Sequence, residues 1–277
     1  MLAPRRIFLV LAGLLARGHA ATSCQAPVMQ LPLGACNILI PGQSDVHSWG
    51  APVGIEGASD LCLVPSTVLA HTFITTESVC GDGNLVDVNN IQMTDAQCRS
   101  RRGGYILSSE NLQSASTDGL AAANPAWLDL KNSIDSASQA TLEIQDQEVT
   151  MTVGRIEKGQ QSTASHLGLA LESVLLKTLK DKGLIGAQSF GLNAGSQSIL
   201  APRRGSLVLG GYDPASIGSH FWEFPIKNTK LQDRHCPLQV KVNTISLVGT
   251  VSNGTASQPV NETISGNAEP VDYCIEP

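Results

Sequence analysis

Apolar and polar positions alternate along much of the chain, and this alternation predicts β-strands. The stretch HSWGAPVGIEG alternates apolar and small residues, a break follows from Gly57 to Asp60, and LCLV then resumes the apolar run. Successive side chains on a strand point to opposite faces, so a period of two residues is typical of strands. Residues 46–68 are therefore predicted to form a strand, a turn and a second strand.

A second alternating stretch is ATLEIQDQEVTMTVGRIEKG, in which Val149, Met151 and Val153 alternate with threonines. It also predicts strand structure. Before it, residues 108–140 are rich in Ser, Ala, Asn and Asp, which supply little core. We expect that segment to be mostly loop, with one helical turn near Trp127. The cysteine-bracketed polar segment 76–103 is predicted to be a loop closed by a Cys80–Cys98 disulfide.

One segment has a clear helical pattern. ESVLLKTLKDKG places Leu175, Leu176 and Leu179 on one stripe, ends in a lysine-rich turn and stops at Gly183. The runs that follow, QSFGLNAG, GSLVLGG, HFWEFPI and PLQVKVNTISLVG, are strand-like and separated by Gly, Pro and Asn. One short helix among many strands predicts a mostly β fold class.

The first 20 residues have the layout of a secretory signal peptide. Arg5 and Arg6 precede an apolar stretch over residues 7–16, and small residues lead to a cleavage position after Ala20. About ten apolar residues are too few to span a bilayer, which needs roughly 20. We therefore expect export, with the extracellular space as the destination and the cell wall or vacuole as alternatives. No membrane association is expected for the remaining chain.

Charge and composition indicate which partners and covalent modifications to expect. The net charge is −6, and no basic run occurs, so nucleic acid is not an expected partner. Seven cysteines in an exported chain predict disulfides rather than metal thiolates, and the odd number leaves one without a partner in this chain. Sequons at Asn253 and Asn261 are candidates for glycosylation on an exposed loop. The cysteines are Cys24, Cys36, Cys62, Cys80, Cys98, Cys236 and Cys274.

No self-sufficient catalytic or metal motif is present. The chain has no Gly-x-Ser-x-Gly elbow, His-Glu-x-x-His pair, phosphate loop or dinucleotide fingerprint. The histidines after the signal are scattered without ligand spacing, and the acidic stretch from Asp82 to Asp87 lacks the ligand spacing of a calcium loop. We expect no metal and no cofactor.

The order of segments between Ser165 and Leu247 is the most informative feature of the sequence. SHLGLA is followed by the helix, then AQSFGLNAGS, then GSLVLGGYDPASIGSHFWEFPI, and then PLQVKVNTISL. This order resembles the pepsin-like aspartic peptidases of fungi. GSLVLGGYD is its most specific part, because its glycines allow a tight turn and Asp213 can bond backbone amides there. HSWGAPVGIEG resembles the family's first strand, and the Cys80–Cys98 loop lies where its first lobe often carries a small disulfide.

The resemblance implies a pepsin-like bilobal acid-protease fold, with the second lobe cut short in this chain. The signal peptide would cover residues 1–20, an N-terminal extension residues 21–45, and the pepsin-like domain residues 46–277. Within that domain, the first lobe would extend over about 46–190. The central sheet and an incomplete second lobe would follow over about 191–277.

The family's catalytic residues are not matched. An aspartic peptidase needs two carboxylates close enough to share a proton, each on an Asp-Thr-Gly loop after an apolar strand. The resemblance places Pro65, Ser66 and Thr67 on the first such loop, while Asp60 precedes the apolar run. Glu276 is the candidate for the second position, with Asp272 as a rival alignment. The segment 142–165, expected to hold the flap tyrosine of the family, contains no tyrosine.

Three functions remain open from the sequence. The first is an exported pepsin-like protein that lacks proteolytic activity and has no catalytic residue, with a peptide, a protein or a glycan as ligand in the cleft. The second is an active aspartic endopeptidase whose gene model is misread or incomplete. The third is an exported or cell-surface β-rich binding protein that kept only the scaffold.

Overall fold

Strands dominate the architecture of this protein, as the sequence predicts. The structure is a computed structural model that describes residues 26–37, 47–55, 58–81, 93–104, 112–117, 120, 134–156, 164–196, 202–216, 239–242, 244–252, 257–265 and 271–274. Residues 1–20, where the signal peptide is expected, lie outside these ranges, as do Cys24, Cys236, Asn253 and Glu276.

The described strands are β1 Met29–Asn37, β2 His47–Ile55, β3 Ala58–Ser66, β4 Phe73–Thr75, β5 Gln113–Ala115, β6 Ile134–Ile144, β7 Gln147–Ile156, β8 His166–Gly168, β9 Phe190–Asn193, β10 Gly205–Leu209, β11 Gln239–Val242, β12 Thr244–Ser252, β13 Ser257–Ser265 and β14 Val271–Cys274. The helices are α1 Ser78–Gly81, α2 Asp95–Arg102, α3 Val174–Asp181 and a 3-10 helix Pro214–Ser216.

Ten strands form one sheet in the order β5-β6-β7-β4-β8-β3-β2-β1-β10-β9. Most neighbours are antiparallel, whereas β3 pairs with β8 and β4 pairs with β7 in parallel. Strand β1 changes partner along its length: Met29 to Leu33 pair with β10, and Gly34 to Asn37 pair with β2. Gly34 has a φ of 155°, which glycine adopts more readily than other residues.

Strands β6 and β7 form a hairpin in this sheet. Its turn consists of Gln145 and Asp146, both with positive φ, as a two-residue hairpin turn requires. Val149, Met151 and Val153 alternate into the core, which confirms the strand predicted from their spacing. The stretch expected to hold a flap thus begins as a hairpin with its apolar face buried in the core.

Helix α3 confirms the predicted helix. Its N-cap is Ser173, whose Oγ accepts from the Leu176 N–H at 3.1 Å and donates to the Gly168 carbonyl at 2.6 Å. Leu175, Leu176 and Leu179 are buried, and Gly183 follows with a φ of 72°. The stripe packs on the main core, whose largest fully buried side chains include Leu33, Leu61, Leu63, Ile74, Leu142, Ile144 and Leu167.

Two disulfides brace the described chain. Cys80 is bonded to Cys98 and joins α1 to α2, whose start is fixed by a capping box on Thr94. Cys36 is bonded to Cys62 and joins β1 to β3 across the intervening strand β2. Gly50 of β2 lies beneath this second bridge, where a Cβ would approach the Leu63 carbonyl oxygen to 2.6 Å.

Several expectations need correction. Residues 76–103 contain helices α1 and α2, and residues 108–140 contain β5 and the first part of β6, so neither segment is only loop. The stretch 21–45, expected to be an extension, contributes β1 as an interior strand of the ten-stranded sheet, and alternate side chains of β1 are buried. The 45/46 boundary therefore cuts through the sheet.

The last part of the chain also departs from expectation. PLQVKVNTISLVG is divided between β11 and β12, which pair with β14 and β13 in two separate two-stranded sheets. Asn261 lies within β13 opposite Val248, so its placement on a loop is wrong. Glycosylation at Asn253 and Asn261 stays a prediction.

Candidate functional site

The end of β3 is the place where the sequence resemblance puts the first catalytic loop. Val64, Pro65 and Ser66 run parallel to His166, Leu167 and Gly168 of β8. Strand β4 lies on the other edge of β8, with Phe73 opposite His166. We call the meeting of residues 64–67, 71–75 and 165–168 the junction.

Proline fits in β3 because its position needs no N–H. The Val64 N–H donates to the Ser165 carbonyl at 3.0 Å, on the β8 side of the strand. The next N–H would point towards β2, but the β2–β3 ladder ends at the Ala51–Leu63 pair. Pro65 therefore removes no ladder hydrogen bond, and its buried ring ends the pairing with β2.

Hydroxyl groups bind the backbone within the junction. Ser165 Oγ accepts from the Thr75 N–H at 3.1 Å and lies 3.0 Å from Thr75 Oγ1. Thr75 Oγ1 donates to the Gly104 carbonyl at 3.0 Å, so Ser165 Oγ is the donor to Thr75 Oγ1. Thr72 Oγ1 accepts from the Gly168 N–H at 3.3 Å. These hydroxyl groups stabilise the fold by hydrogen bonding to the backbone, and they are not candidates for a nucleophile.

Replacing Ser165 by alanine is expected to lower the free energy of unfolding by about 2 kcal/mol, because the buried Thr75 N–H would lose its acceptor. Urea denaturation at neutral pH measures this loss. Ser138→Ala is the matched control, since the Ser138 hydroxyl is equally buried but has no hydrogen-bond partner among the described residues. Equal losses in the two variants would contradict the assignment.

Two histidines lie at the junction. His166 is on β8, and the backbone of His71 lies against Gly168, where a Cβ would be 2.4 Å from the His71 carbonyl oxygen. Burial lowers the pKa of His166 to about 4, partly opposed by a backbone hydrogen bond at Val64. Burial also lowers the pKa of His71. Both imidazoles are therefore neutral at pH 7, and in the described chain neither Nδ1 has a hydrogen-bond partner.

The junction offers no acidic side chain from its own segments. The run from Val64 to Thr75 contains only apolar, hydroxyl and imidazole side chains. Thr67, which follows the first two residues of the sequence-predicted loop, is buried, and its Oγ1 has no partner among the described residues. The side chain of Asp60 and the whole of Glu276 lie outside the described part of the chain.

The sequence does not indicate His71 or His166 as functional residues, because neither has the spacing of a metal ligand. The one feature that could have indicated them is their position, since each lies next to an apolar segment that resembles the peptidase family. Within the described ranges, no group of three His, Cys, Asp or Glu residues is close enough to hold a metal ion. No helix there is long and apolar enough to cross a membrane.

No protein family and no curated protein matches the chain. Among solved structures, the aspartic proteinase from Irpex lacteus is similar over 68% of this chain and 49% of that one, with 11% sequence identity and a TM-score of 0.37. The chain thus spans about half the length of that proteinase.

Proposed function

We propose that this protein is an exported, disulfide-braced member of the pepsin-like scaffold that does not hydrolyse peptides by the paired-carboxylate mechanism. Pro65 carries the proposal. It lies buried at the end of β3, on the position that the sequence resemblance gives to the first catalytic aspartate. A proline has no group that could act as the base for a water molecule.

The surroundings of Pro65 support the same conclusion. The hydroxyl groups of Thr75 and Ser165 form hydrogen bonds with the backbone, so neither is a candidate nucleophile. The neutral His71 and His166 imidazoles have no carboxylate neighbour in residues 64–75 to orient them as bases. Export is supported by the leader-like first 20 residues and by the two disulfides.

The test is incubation of the purified, oxidised protein with a denatured protein substrate at mildly acidic pH. The expected result is no more cleavage than in a sample containing a hydroxyl-bearing mimic of the tetrahedral intermediate. Far-UV circular dichroism at the assay pH shows that the protein is folded during the measurement. Cleavage that the mimic blocks would overturn the proposal.

Two variants test the rival interpretation, in which the protein is an active peptidase that uses other carboxylates. If cleavage occurs and Glu276→Gln or Asp60→Asn abolishes it, the protein is an aspartic endopeptidase with an irregular site. Pro65→Asp is the complementary change, because it restores a carboxylate at the end of β3. We expect this variant to remain inactive, since a lone carboxylate has no partner with which to share a proton.

A further inference from the structure

A groove opens where β1 changes its partner. Leu33 is the last β1 residue paired with β10, where its partner is Gly205. From Gly34 onward β1 pairs with β2, so the residues that precede Gly205 have no β1 partner opposite them. The gap between these segments is a groove with a volume of about 670 Å³.

The walls of this groove come from two hairpins. One wall is built from β1 and β2, and the other from the residues that continue β9 and β10 outward. The second wall is held by a pair of backbone hydrogen bonds between Ser196 and Arg203, at 2.8 and 2.9 Å. The described lining residues are Gly34, Ala35, Ser48, Trp49, Ala194, Ser196, Pro202, Arg203 and Arg204.

The lining has a distinct chemistry. Two exposed arginines, Arg203 and Arg204, belong to one wall, and the described lining contains no acidic residue. Trp49 on the opposite wall packs against the main core. The residue is only partly buried, so the rest of its ring surface lines the groove.

We propose that the groove binds a small organic carboxylate with a flat apolar body. The guanidinium groups match a planar carboxylate, with which arginine forms paired hydrogen bonds. The apolar body would lie against Trp49, and the volume is in the range of small-molecule sites, roughly 300–1,000 Å³. This site is separate from the junction and does not depend on whether the protein cleaves peptides.

The experiment is isothermal titration of the full chain with 2-naphthoate, and in parallel with its neutral analogue 2-naphthamide. Saturable binding of the naphthoate is expected, with at least about tenfold weaker binding of the amide, because charge-assisted hydrogen bonds are lost. Raising the salt to about 0.5 M should weaken naphthoate binding. Equal binding of acid and amide, or no saturable binding, would overturn the proposal.

Variants locate the site. Arg203→Gln/Arg204→Gln is expected to weaken naphthoate binding at least about tenfold. Arg101→Gln/Lys180→Gln removes the same charge from exposed positions on α2 and α3 and should leave the affinity unchanged. Trp49→Phe should weaken binding by reducing the ring surface against which the apolar body lies. An unaltered affinity in the Arg203/Arg204 variant contradicts the assignment.

A last arm distinguishes the source of the carboxylate. A short acidic peptide with blocked ends carries the same anionic group on a polypeptide. The proposal expects the peptide to bind at least about tenfold more weakly than 2-naphthoate, because its body does not cover the Trp49 ring. A peptide that binds while naphthoate does not would overturn the small-molecule assignment.

Discussion

Lowering the pH from 7 to 4 is expected to reduce the free energy of unfolding by about 3 kcal/mol through His166 alone. Its pKa is about 4 in the folded protein, against an ordinary value of 6.5. Between pH 6.5 and pH 4, His166 is protonated in the unfolded chain but stays neutral in the folded protein. The stability is therefore fully present above pH 6.5 and is lost as the pH falls towards 4.

Chemical denaturation at a series of pH values measures this dependence. His166→Gln removes the titrating group and is expected to flatten the profile between pH 6.5 and 4. His71→Gln should flatten it less, because His71 is less strongly shifted, although burial lowers its pKa too. A His166→Gln variant with the same pH dependence as the parent would show that the loss arises elsewhere.

This dependence bears on the proposed function. An enzyme that works on a pair of aspartates operates at acid pH, where one carboxylate is protonated. Here the buried imidazole at the junction makes the fold weaker over that range. We therefore expect the protein to serve near neutral pH, which agrees with a role other than acid proteolysis.

Removing the Cys36–Cys62 disulfide by Cys36→Ala/Cys62→Ala is expected to cost about 3–4 kcal/mol of stability. The bridge closes a separation of 26 residues and ties β1 to β3, which do not pair with each other. Its loss enlarges the unfolded ensemble and leaves β1 held on that side by β2 alone. Urea denaturation gives the change, and hydrogen exchange of the β1 amides locates it.

The matched control is Cys80→Ala/Cys98→Ala, which removes a bridge of similar separation, 18 residues, between two helices. A comparable but somewhat smaller loss is expected, without faster exchange in β1. A loss below about 1 kcal/mol in the Cys36/Cys62 variant would show that the unfolded chain is already restricted there.

The sequence predicted those elements whose local pattern agrees with their environment. Helix α3 has its stripe, its lysines and its terminal glycine in one segment, so its bounds follow from local rules. For β6 and β7, the alternation predicts strand structure from Ala140 onward but no hairpin, and β6 begins earlier, at Ile134. The first residues of β6, Ile134 to Gln139, are mostly small or polar and form a strand because β7 and β5 supply partners.

Long-range features were beyond local rules. The Cys36–Cys62 bridge has one sequence signal, Gly50, whose missing side chain leaves room between the flanking strands, but that role is visible only once β1, β2 and β3 are side by side. The groove could not be predicted from local sequence either. Trp49 and Arg203 are far apart in sequence and line the same groove only through the β1–β10 pairing. At the junction, the sequence identified Pro65 but not the two partly buried histidines.

The partner change in β1 also constrains how the chain reaches its native state. Met29 pairs with Leu209, and this contact joins positions 180 residues apart (209 − 29). Pairings of such separation require a large loss of chain entropy before any contact is gained, so they form late and slowly. The hairpins β6–β7 and β9–β10 are local and fast by comparison. Folding should therefore be limited by the docking of β1.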